Sequence, residues 1–180
     1  MLFIEDTMLV IVDVQGKLAQ LMADKEELFA NLERLIRGAD VLELPILWTE
    51  QYPKGLGPTI QPLAELLAPT RQPMPKVSFS CCGCPAFVEA LQATGRRQVL
   101  LAGIETHVCV YQTTADLLSA GYEVQVMGDA VSSRTARNRE IGLQRMRDLG
   151  AAVTSVEMAL FELQRVARGD RFRALARIVR

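Results

Sequence analysis

The sequence predicts one doubly wound α/β domain over residues 1–180, a Rossmann-like fold with a mostly parallel six-stranded sheet and helices on both faces. Three observations predict it. Apolar strand-like runs alternate with helical patterns along the chain, which is typical of crossover connections in a parallel sheet. The main runs are apolar throughout, as expected of strands buried on both faces. A length of 180 residues, with 49% apolar and 23% charged residues, suits a single globular domain.

Short segments rich in apolar and β-branched residues predict the strands. The glycine- and proline-rich stretch Gln51–Pro62 predicts a loop after the second strand. In chain order the predicted strands are Met8–Val14, Ile46–Thr49, Val77–Ser80, Gln98–Gly103, Glu123–Met127 and Ala152–Ser155.

Helical patterns fill the intervals between these strands. Asp24 to Glu27 reads as a capping box with Asp24 as the cap, and Pro45 follows the helix that begins there. Gly121 and Gly150 can supply left-handed ends for two later helices. The predicted helices are Leu28–Leu42, Leu63–Leu67, Pro85–Thr94, His107–Ala120, Ala136–Leu149 and two helices after Val156 that are broken at Gly169.

The charge balance and the N-terminus restrict the class of partner. Twenty basic and 21 acidic residues leave a net charge of -1, so there is no electrostatic reason to expect nucleic acid or an anionic membrane. Met1–Met8 lacks the basic region of a signal peptide, and the longest apolar runs are too short to cross a bilayer. We therefore expect a cytoplasmic protein with reduced thiols that acts on a small molecule.

Asp13 and Cys109 are the first candidates for chemistry, because ligands of such sheets bind beyond the carboxyl ends of the strands. Asp13 interrupts an apolar strand, where a carboxylate is costly to bury without partners. The alternative is a cap or loop carboxylate, although no helix is expected at Gln15 because Gly16 follows. Cys109 falls in the first turn of a predicted helix, where free amides can favour a thiolate. Its alternative is an ordinary buried cysteine.

The remaining histidine and cysteines give weaker indications. His107 is the only histidine, and it lies two residues from Cys109, a spacing that separates side chains on a helix, so we interpret it as a positioning or structural residue. Cys81, Cys82 and Cys84 are three thiols without a second pair, which does not match structural zinc. Packing beside the active site is the favoured interpretation of this cluster, and a redox switch is the alternative.

Several stretches together resemble the cysteine hydrolases of the isochorismatase superfamily, which includes nicotinamidases and carbamoylsarcosine-type amidases. Within it, the chain looks most like the isochorismatase-domain-containing hydrolases of undefined substrate. The stretches that carry the resemblance are Val10–Gln15, Pro75–Ser80, Gly103–Val110 and Asp129–Arg134, and, for the narrower likeness, Thr49–Gly57 and Val156–Glu162.

The resemblance implies a role for each matching residue. Asp13 would be the general base, Lys76 would hold the charges in place, and Cys109 would attack a carbonyl. The backbone amides of Glu105 and Cys109 would form the oxyanion hole, and the Ile104–Glu105 bond would be a cis peptide. We expect the helix N-terminus and Lys76 to outweigh repulsion from Asp13 and to favour the thiolate of Cys109.

The chain departs from the family's metal-dependent members. The Asp-x-His motif of nicotinamidases corresponds here to Gln51 and Pro53, so we expect no zinc, no iron and no other cofactor. The retained cysteine also argues against isochorismatase activity itself, because vinyl-ether cleavage needs acid chemistry.

Two alternatives to an amidase-type hydrolase remain open, namely a catalytically retired binding or scaffold protein and a thiol redox sensor. We also expect a homo-oligomer, a dimer or a tetramer, by family analogy and from the apolar content of the C-terminal half. Polar and aromatic residues near the strand ends could line a substrate pocket, each with simple packing as its alternative. The pocket candidates are Gln15, Trp48, Gln51, Tyr52, Phe79, Thr106 and Tyr111.

Overall fold

A computed structural model describes residues 1–180 and contains one six-stranded sheet with the strand order β3-β2-β1-β4-β5-β6. Every neighbouring pair of strands is parallel, which confirms the predicted α/β fold class. The strands are β1 (Thr7–Val12), β2 (Ile46–Gln51), β3 (Met74–Lys76), β4 (Gln98–Ile104), β5 (Glu123–Ser132) and β6 (Ala152–Thr154).

Helices cover both faces of the sheet. None of them is both long and apolar enough to cross a membrane. They are α1 (Gly16–Ala19), α2 (Lys25–Val41), α3 (Pro53–Leu56), α4 (Gln61–Leu67), α5 (Pro85–Ala93), α6 (Tyr111–Ser119), α7 (Ala136–Asp148), α8 (Val156–Gln164) and α9 (Gly169–Ile178).

The sheet separates two hydrophobic cores. The larger core has 28 buried residues and lies under α2, α4, α8 and α9, and the smaller core has 17 buried residues and lies under α5, α6 and α7. Strand β1 serves both, since Leu9 and Ile11 belong to the larger core while Val10 and Val12 belong to the smaller one. This alternation is the ordinary consequence of successive side chains pointing to opposite faces of a strand.

The expected cap at Asp24 is wrong. Asp24 has a left-handed backbone (φ 52°), and its side chain makes no capping bond to α2. Tertiary contacts account for this, because the N–H of Ala23 donates to Ser133 O at 2.9 Å and Ser132 Oγ donates to Ala23 O at 2.7 Å. The end of β5 thus fixes the chain entering α2, and the carboxylate cannot reach the first helical amides.

The third strand lies at Met74–Lys76 and not at Val77–Ser80. The segment after Lys76 turns around the ammonium of that residue, which donates to the carbonyls of Ser78 at 3.1 Å and Phe79 at 3.0 Å. The segment therefore cannot continue a straight ladder. Residues Cys81–Gly83 then form a 3₁₀ turn.

Four further features differ from the prediction. A short helix, α1, does begin at Gly16, and one turn of helix, α3, lies within the predicted loop. The first turn of the helix that carries Cys109 is a π turn, Thr106–Val110, and α6 follows it. Strand β5 continues to Ser132, past its predicted end at Met127.

Candidate active site

The site lies where the strand order reverses, at the carboxyl ends of the neighbouring strands β1 and β4. Asp13 directly follows β1, and Cys109 lies in the π turn that follows β4. Gly103 allows the two strands to approach closely here, because its φ is +125° and an added Cβ would lie 2.2 Å from Val12 O. This is the switch point at which open α/β sheets bind ligands.

Asp13 is held in a left-handed conformation (φ 56°) and is only 2% exposed. Thr49 holds it twice, since Asp13 N–H donates to Thr49 O at 3.2 Å and Thr49 Oγ1 donates to Asp13 Oδ1 at 2.8 Å. A non-glycine residue in this region is uncommon and persists where its surroundings enforce it.

Lys76 is the charge partner of Asp13, with Nζ and Oδ2 2.6 Å apart and neither side chain appreciably exposed. The ammonium also donates to Gln51 Oε1 at 2.7 Å and to the Ser78 and Phe79 carbonyls described above. Four acceptors therefore surround a group with three N–H donors, which compensates its burial.

Cys109 is 7% exposed and faces the same pair of charges. Burial raises the pKa of its thiol well above the ordinary value, and the negative charge of Asp13 raises it further, while Lys76 acts in the opposite direction. This direction is opposite to the expected one, because burial and Asp13 outweigh the lysine. Burial therefore favours the thiol over the thiolate, and the thiol proton needs an acceptor when sulfur attacks.

The turn that carries Cys109 begins at Glu105. The expected cis peptide is absent, since every peptide bond is trans, the form favoured by about 3–4 kcal/mol away from proline. Glu105 O accepts the N–H groups of Val108 at 3.0 Å and Val110 at 3.3 Å, and the N–H of Glu105 itself donates to no backbone carbonyl. Helix α7 packs against this turn at Gly142, where a Cβ would lie 2.9 Å from Thr106 O.

His107 points away from the thiol and into a polar cluster. Its Nδ1 lies 2.9 Å from Ser133 Oγ and 3.3 Å from Glu105 Oε2, and Arg134 Nε donates to Glu105 Oε1 at 2.6 Å. These contacts are compatible with either the positioning or the structural role expected for the only histidine.

Two of the expected pocket residues are structural. Gln15 is fully buried, and it accepts from Gln51 N at 2.6 Å and donates to Gly57 O at 2.7 Å, so it holds the chain between β2 and α4. Trp48 packs in the larger core and donates to Thr59 Oγ1 at 2.8 Å. Because neighbouring strand residues face opposite ways, Trp48 points away from the face on which Thr49 contacts Asp13.

The other pocket candidates lie around the site. Gln51 contacts Lys76, and Tyr52 and Phe79 are more than half exposed. Thr106 is fully buried in the π turn, with its hydroxyl unpaired. Tyr111 lies under the guanidinium of Arg145, 5.9 Å from the ring centre.

A cavity of about 320 Å³ borders the site along the outer edge of β3. It reaches Lys76 but neither Asp13 nor Cys109, and the Lys76 side chain is itself fully buried. The cavity therefore adjoins the site but does not contain its centre. Its lining consists of Tyr52, Pro53, Lys54, Pro75, Lys76, Val77, Gly83, Cys84 and Pro85.

Thr49 is a site residue that no sequence pattern indicated, and Cys81 contacts it. Cys81 is fully buried, its Sγ lies 3.6 Å from Thr49 Oγ1, and burial raises the pKa of its thiol to about 12. All the cysteines are free, and no group of three or more His, Cys, Asp or Glu side chains is arranged to hold a metal ion. The expected packing of the cluster beside the site is correct for Cys81.

Comparison with known proteins adds a family match. The model of the isochorismatase domain matches residues 7–158. The secreted isochorismatase effector Isc1 of Phytophthora sojae is 36% identical, over 97% of this chain and 84% of that protein.

Solved structures agree over almost the whole chain. The MAR1 ribonuclease of Caenorhabditis elegans has a TM-score of 0.93 at 36% identity, covering 99% of this chain and 91% of that one. YcaC of Pseudomonas aeruginosa, solved with hexane-2,5-diol and covalent acrylamide, has a TM-score of 0.93 at 28% identity, covering 99% and 89%. The Escherichia coli ycaC product, described as an octameric hydrolase of unknown specificity, has a TM-score of 0.92 at 27% identity, covering 98% and 88%.

Proposed function

The chain belongs to the isochorismatase family of hydrolases, and we propose that it is a cysteine hydrolase that cleaves a small amide-type C–N bond through a thioester on Cys109. The observation that carries the proposal is the buried ion pair between Asp13 Oδ2 and Lys76 Nζ, 2.6 Å long, with the Cys109 side chain facing it. A buried ion pair is expensive to maintain for stability alone. A nucleophile next to a base that a third group orients is the common arrangement of covalent hydrolases.

In the proposed first step, the Cys109 proton moves to Asp13 as sulfur attacks the carbonyl carbon. The π bond shifts onto oxygen, and the N–H groups of Glu105 and Cys109 stabilise the oxyanion. The C–N bond then breaks, and Asp13 returns the proton to the leaving amine. Lys76 keeps the carboxylate in place and balances its charge throughout.

Water completes the proposed cycle. Asp13 takes a proton from a water molecule as the water oxygen attacks the thioester carbonyl. The C–S bond then breaks and releases a carboxylic acid. The proton on Asp13 then returns to the Cys109 sulfur. Each half-reaction uses the same base and the same oxyanion donors, so no cofactor is required by this scheme.

The covalent acrylamide in the P. aeruginosa relative supports this proposal. Acrylamide is a small molecule that carries a primary amide and reacts with thiols at its double bond. The site described above gives this chain a thiol that faces a carboxylate and an ammonium. We therefore expect Cys109 to react with the same reagent.

Cleavage of RNA, named for the C. elegans relative, has less support in this chain. Ribonucleic acid is bound largely through its phosphates. The net charge here is -1, and the ammonium of Lys76 already donates to four protein acceptors.

We also propose that the chain self-associates in the cytoplasm. The octameric E. coli relative supports association, as do large apolar side chains exposed on the C-terminal half, such as Met158 at 63% and Val166 at 50%. Sedimentation at micromolar concentration should give a homo-oligomer, and a monomer would contradict this part of the proposal.

A panel of small primary and secondary amides, with amine release as the readout, tests the proposed function. Wild-type protein should hydrolyse at least one compound, and Cys109→Ala should lose turnover while retaining its circular dichroism spectrum. Cys82→Ala is the matched control, since it removes a half-buried thiol that contacts neither Asp13 nor Lys76. Turnover by folded Cys109→Ala, or a lack of turnover across the panel together with unreactive Cys109, would contradict the proposal.

A further inference from the structure

We infer that Thr49 is a positioning residue for the catalytic base, and that the buried thiol of Cys81 fixes Thr49 in turn. This inference rests on the proposed function, because it concerns how Asp13 is oriented toward Cys109. It gives the Cys81 thiol a role that is neither metal binding nor redox sensing.

Thr49 holds Asp13 through both its backbone and its side chain. It lies on β2 opposite Val12, the last residue of β1, so the register places it beside Asp13. Its carbonyl accepts Asp13 N–H at 3.2 Å, and its hydroxyl donates to Asp13 Oδ1 at 2.8 Å. Lys76 contacts Oδ2, so the two oxygens of the carboxylate have different partners.

The direction of the second hydrogen bond follows from the first. An ionised carboxylate can only accept, so the Thr49 hydroxyl proton is committed to Asp13 Oδ1. The Thr49 oxygen then accepts from Cys81 Sγ, 3.6 Å away, and Cys81 must be protonated to donate. Its complete burial disfavours a thiolate and keeps that proton in place.

Cys81 is itself anchored from the other side of the site. Its backbone N–H donates to Thr113 Oγ1 at 3.0 Å, and Thr113 lies on α6, the helix that continues from the Cys109 turn. The chain of contacts therefore runs from the nucleophile's helix through Cys81 and Thr49 to the base. It ties the position of Asp13 to the element that carries Cys109.

If the hydrogen bond between Thr49 and Asp13 had only a structural role, removing it would change the stability of the protein but not the rate of the reaction. Lys76 contacts only Oδ2 of Asp13, so removing the Thr49 hydroxyl leaves Oδ1 without its donor and leaves the orientation of the carboxylate to a single partner. Losing a positioned base costs about 10²–10⁴-fold in rate, so partial misorientation should cost about 10–100-fold.

The test measures acylation of Cys109 by p-nitrophenyl acetate, as nitrophenolate release and as the mass of the acylated protein, from pH 5 to 9. Thr49→Val keeps the branched shape and removes the hydroxyl, and Thr49→Ser keeps the hydroxyl. We expect the limiting acylation rate of Thr49→Val to fall about 10–100-fold with apparent KM within about 3-fold, and Thr49→Ser to recover most of it. The acid limb of the Thr49→Val profile should move to higher pH, since the charged carboxylate has lost a donor.

Cys81 supplies the second arm of the test. Cys81→Ala should slow acylation by about 3–10-fold, and Cys81→Ser, which keeps a donor, by less. Cys82→Ala should match wild type.

Thr49→Val acylating at the wild-type rate with the wild-type pH profile would overturn the inference, as would equal losses in Thr49→Val and Thr49→Ser. Acylation that persists in Cys109→Ala would instead overturn the proposed function. The two failures are therefore distinguishable.

Discussion

The two hydrophobic cores of the protein differ in the groups that lie in or beside them. The larger core contains none of the cysteines, whereas Cys81, Cys84 and Cys109 belong to the smaller core, and the Asp13–Lys76 pair lies beside it. One face of the sheet is thus an ordinary apolar core that stabilises the fold. The other contains groups that are costly to bury and are held by hydrogen bonds to one another, to Thr49 and to backbone carbonyls. Because of this difference, we expect mutations in the larger core to change stability alone, and mutations on the other face to change both stability and the reactivity of the site.

The largest expected effect comes from removing one member of the buried pair. Lys76→Met should lower the free energy of unfolding by about 3–5 kcal/mol, because it leaves Asp13 buried without its charge partner. Urea denaturation checks this, and Asp13→Asn combined with Lys76→Met should recover part of the stability without recovering activity, because asparagine is uncharged and tolerates the left-handed backbone at this position. If Lys76→Met were as stable as wild type, leaving Asp13 buried without its charge partner would not cost this free energy.

A pair of glycine substitutions compares the two faces directly. In Gly38→Ala the new Cβ would lie 2.5 Å from Leu160 Cδ2 in the larger core, and in Gly142→Ala it would lie 2.9 Å from Thr106 O in the nucleophile's turn. Each should cost about 1–3 kcal/mol of unfolding free energy.

Alkylation of Cys109 by iodoacetamide under native conditions separates these two substitutions. Only Gly142→Ala should change its rate, because only that helix contact positions the turn. Equal alkylation rates in Gly38→Ala and Gly142→Ala would show that the two faces of the sheet do not differ in their effect on Cys109.

The last effect is absent at neutral pH and develops only at alkaline pH. Burial raises the pKa of Cys81 from 9.0 to about 12, so the folded state retains a proton that the unfolded chain releases. The stability linked to this thiol is complete below pH 9 and is lost as the pH rises toward 12, with a slope of about 1.4 kcal/mol per pH unit. Cys81→Ser should reduce that slope when unfolding is measured from pH 8 to 11. An unchanged slope would show that burial does not keep the Cys81 thiol protonated in the folded state.

The fold and the positions of Asp13 and Cys109 could be predicted because they depend on local patterns, whereas Lys76 was expected only from the family resemblance. Apolar runs and glycine stops located most strands and helices, and the carboxyl ends of parallel strands must meet at one edge. Asp13 and Cys109 follow two such strands, so their proximity required no knowledge of packing.

The features that were missed depend on contacts between distant segments. Adjacent residues in a strand face opposite ways, but the sequence did not show whether Trp48 or Thr49 faced the site. Asp24 failed as a cap because the end of β5 fixes the backbone before it. The raised pKa of Cys109 reflects its depth below the surface, which spacing along the chain does not encode.

The most direct test of the central claim is to find the acyl group during turnover of an amide substrate. Acid quenching followed by peptide mass spectrometry should show the substrate's acyl mass on Cys109, absent in Cys109→Ala. Asp13→Asn should show less of it, because the thiol proton has no acceptor. Full turnover with no acyl group on Cys109, or with the acyl group on another residue, would contradict the thioester mechanism.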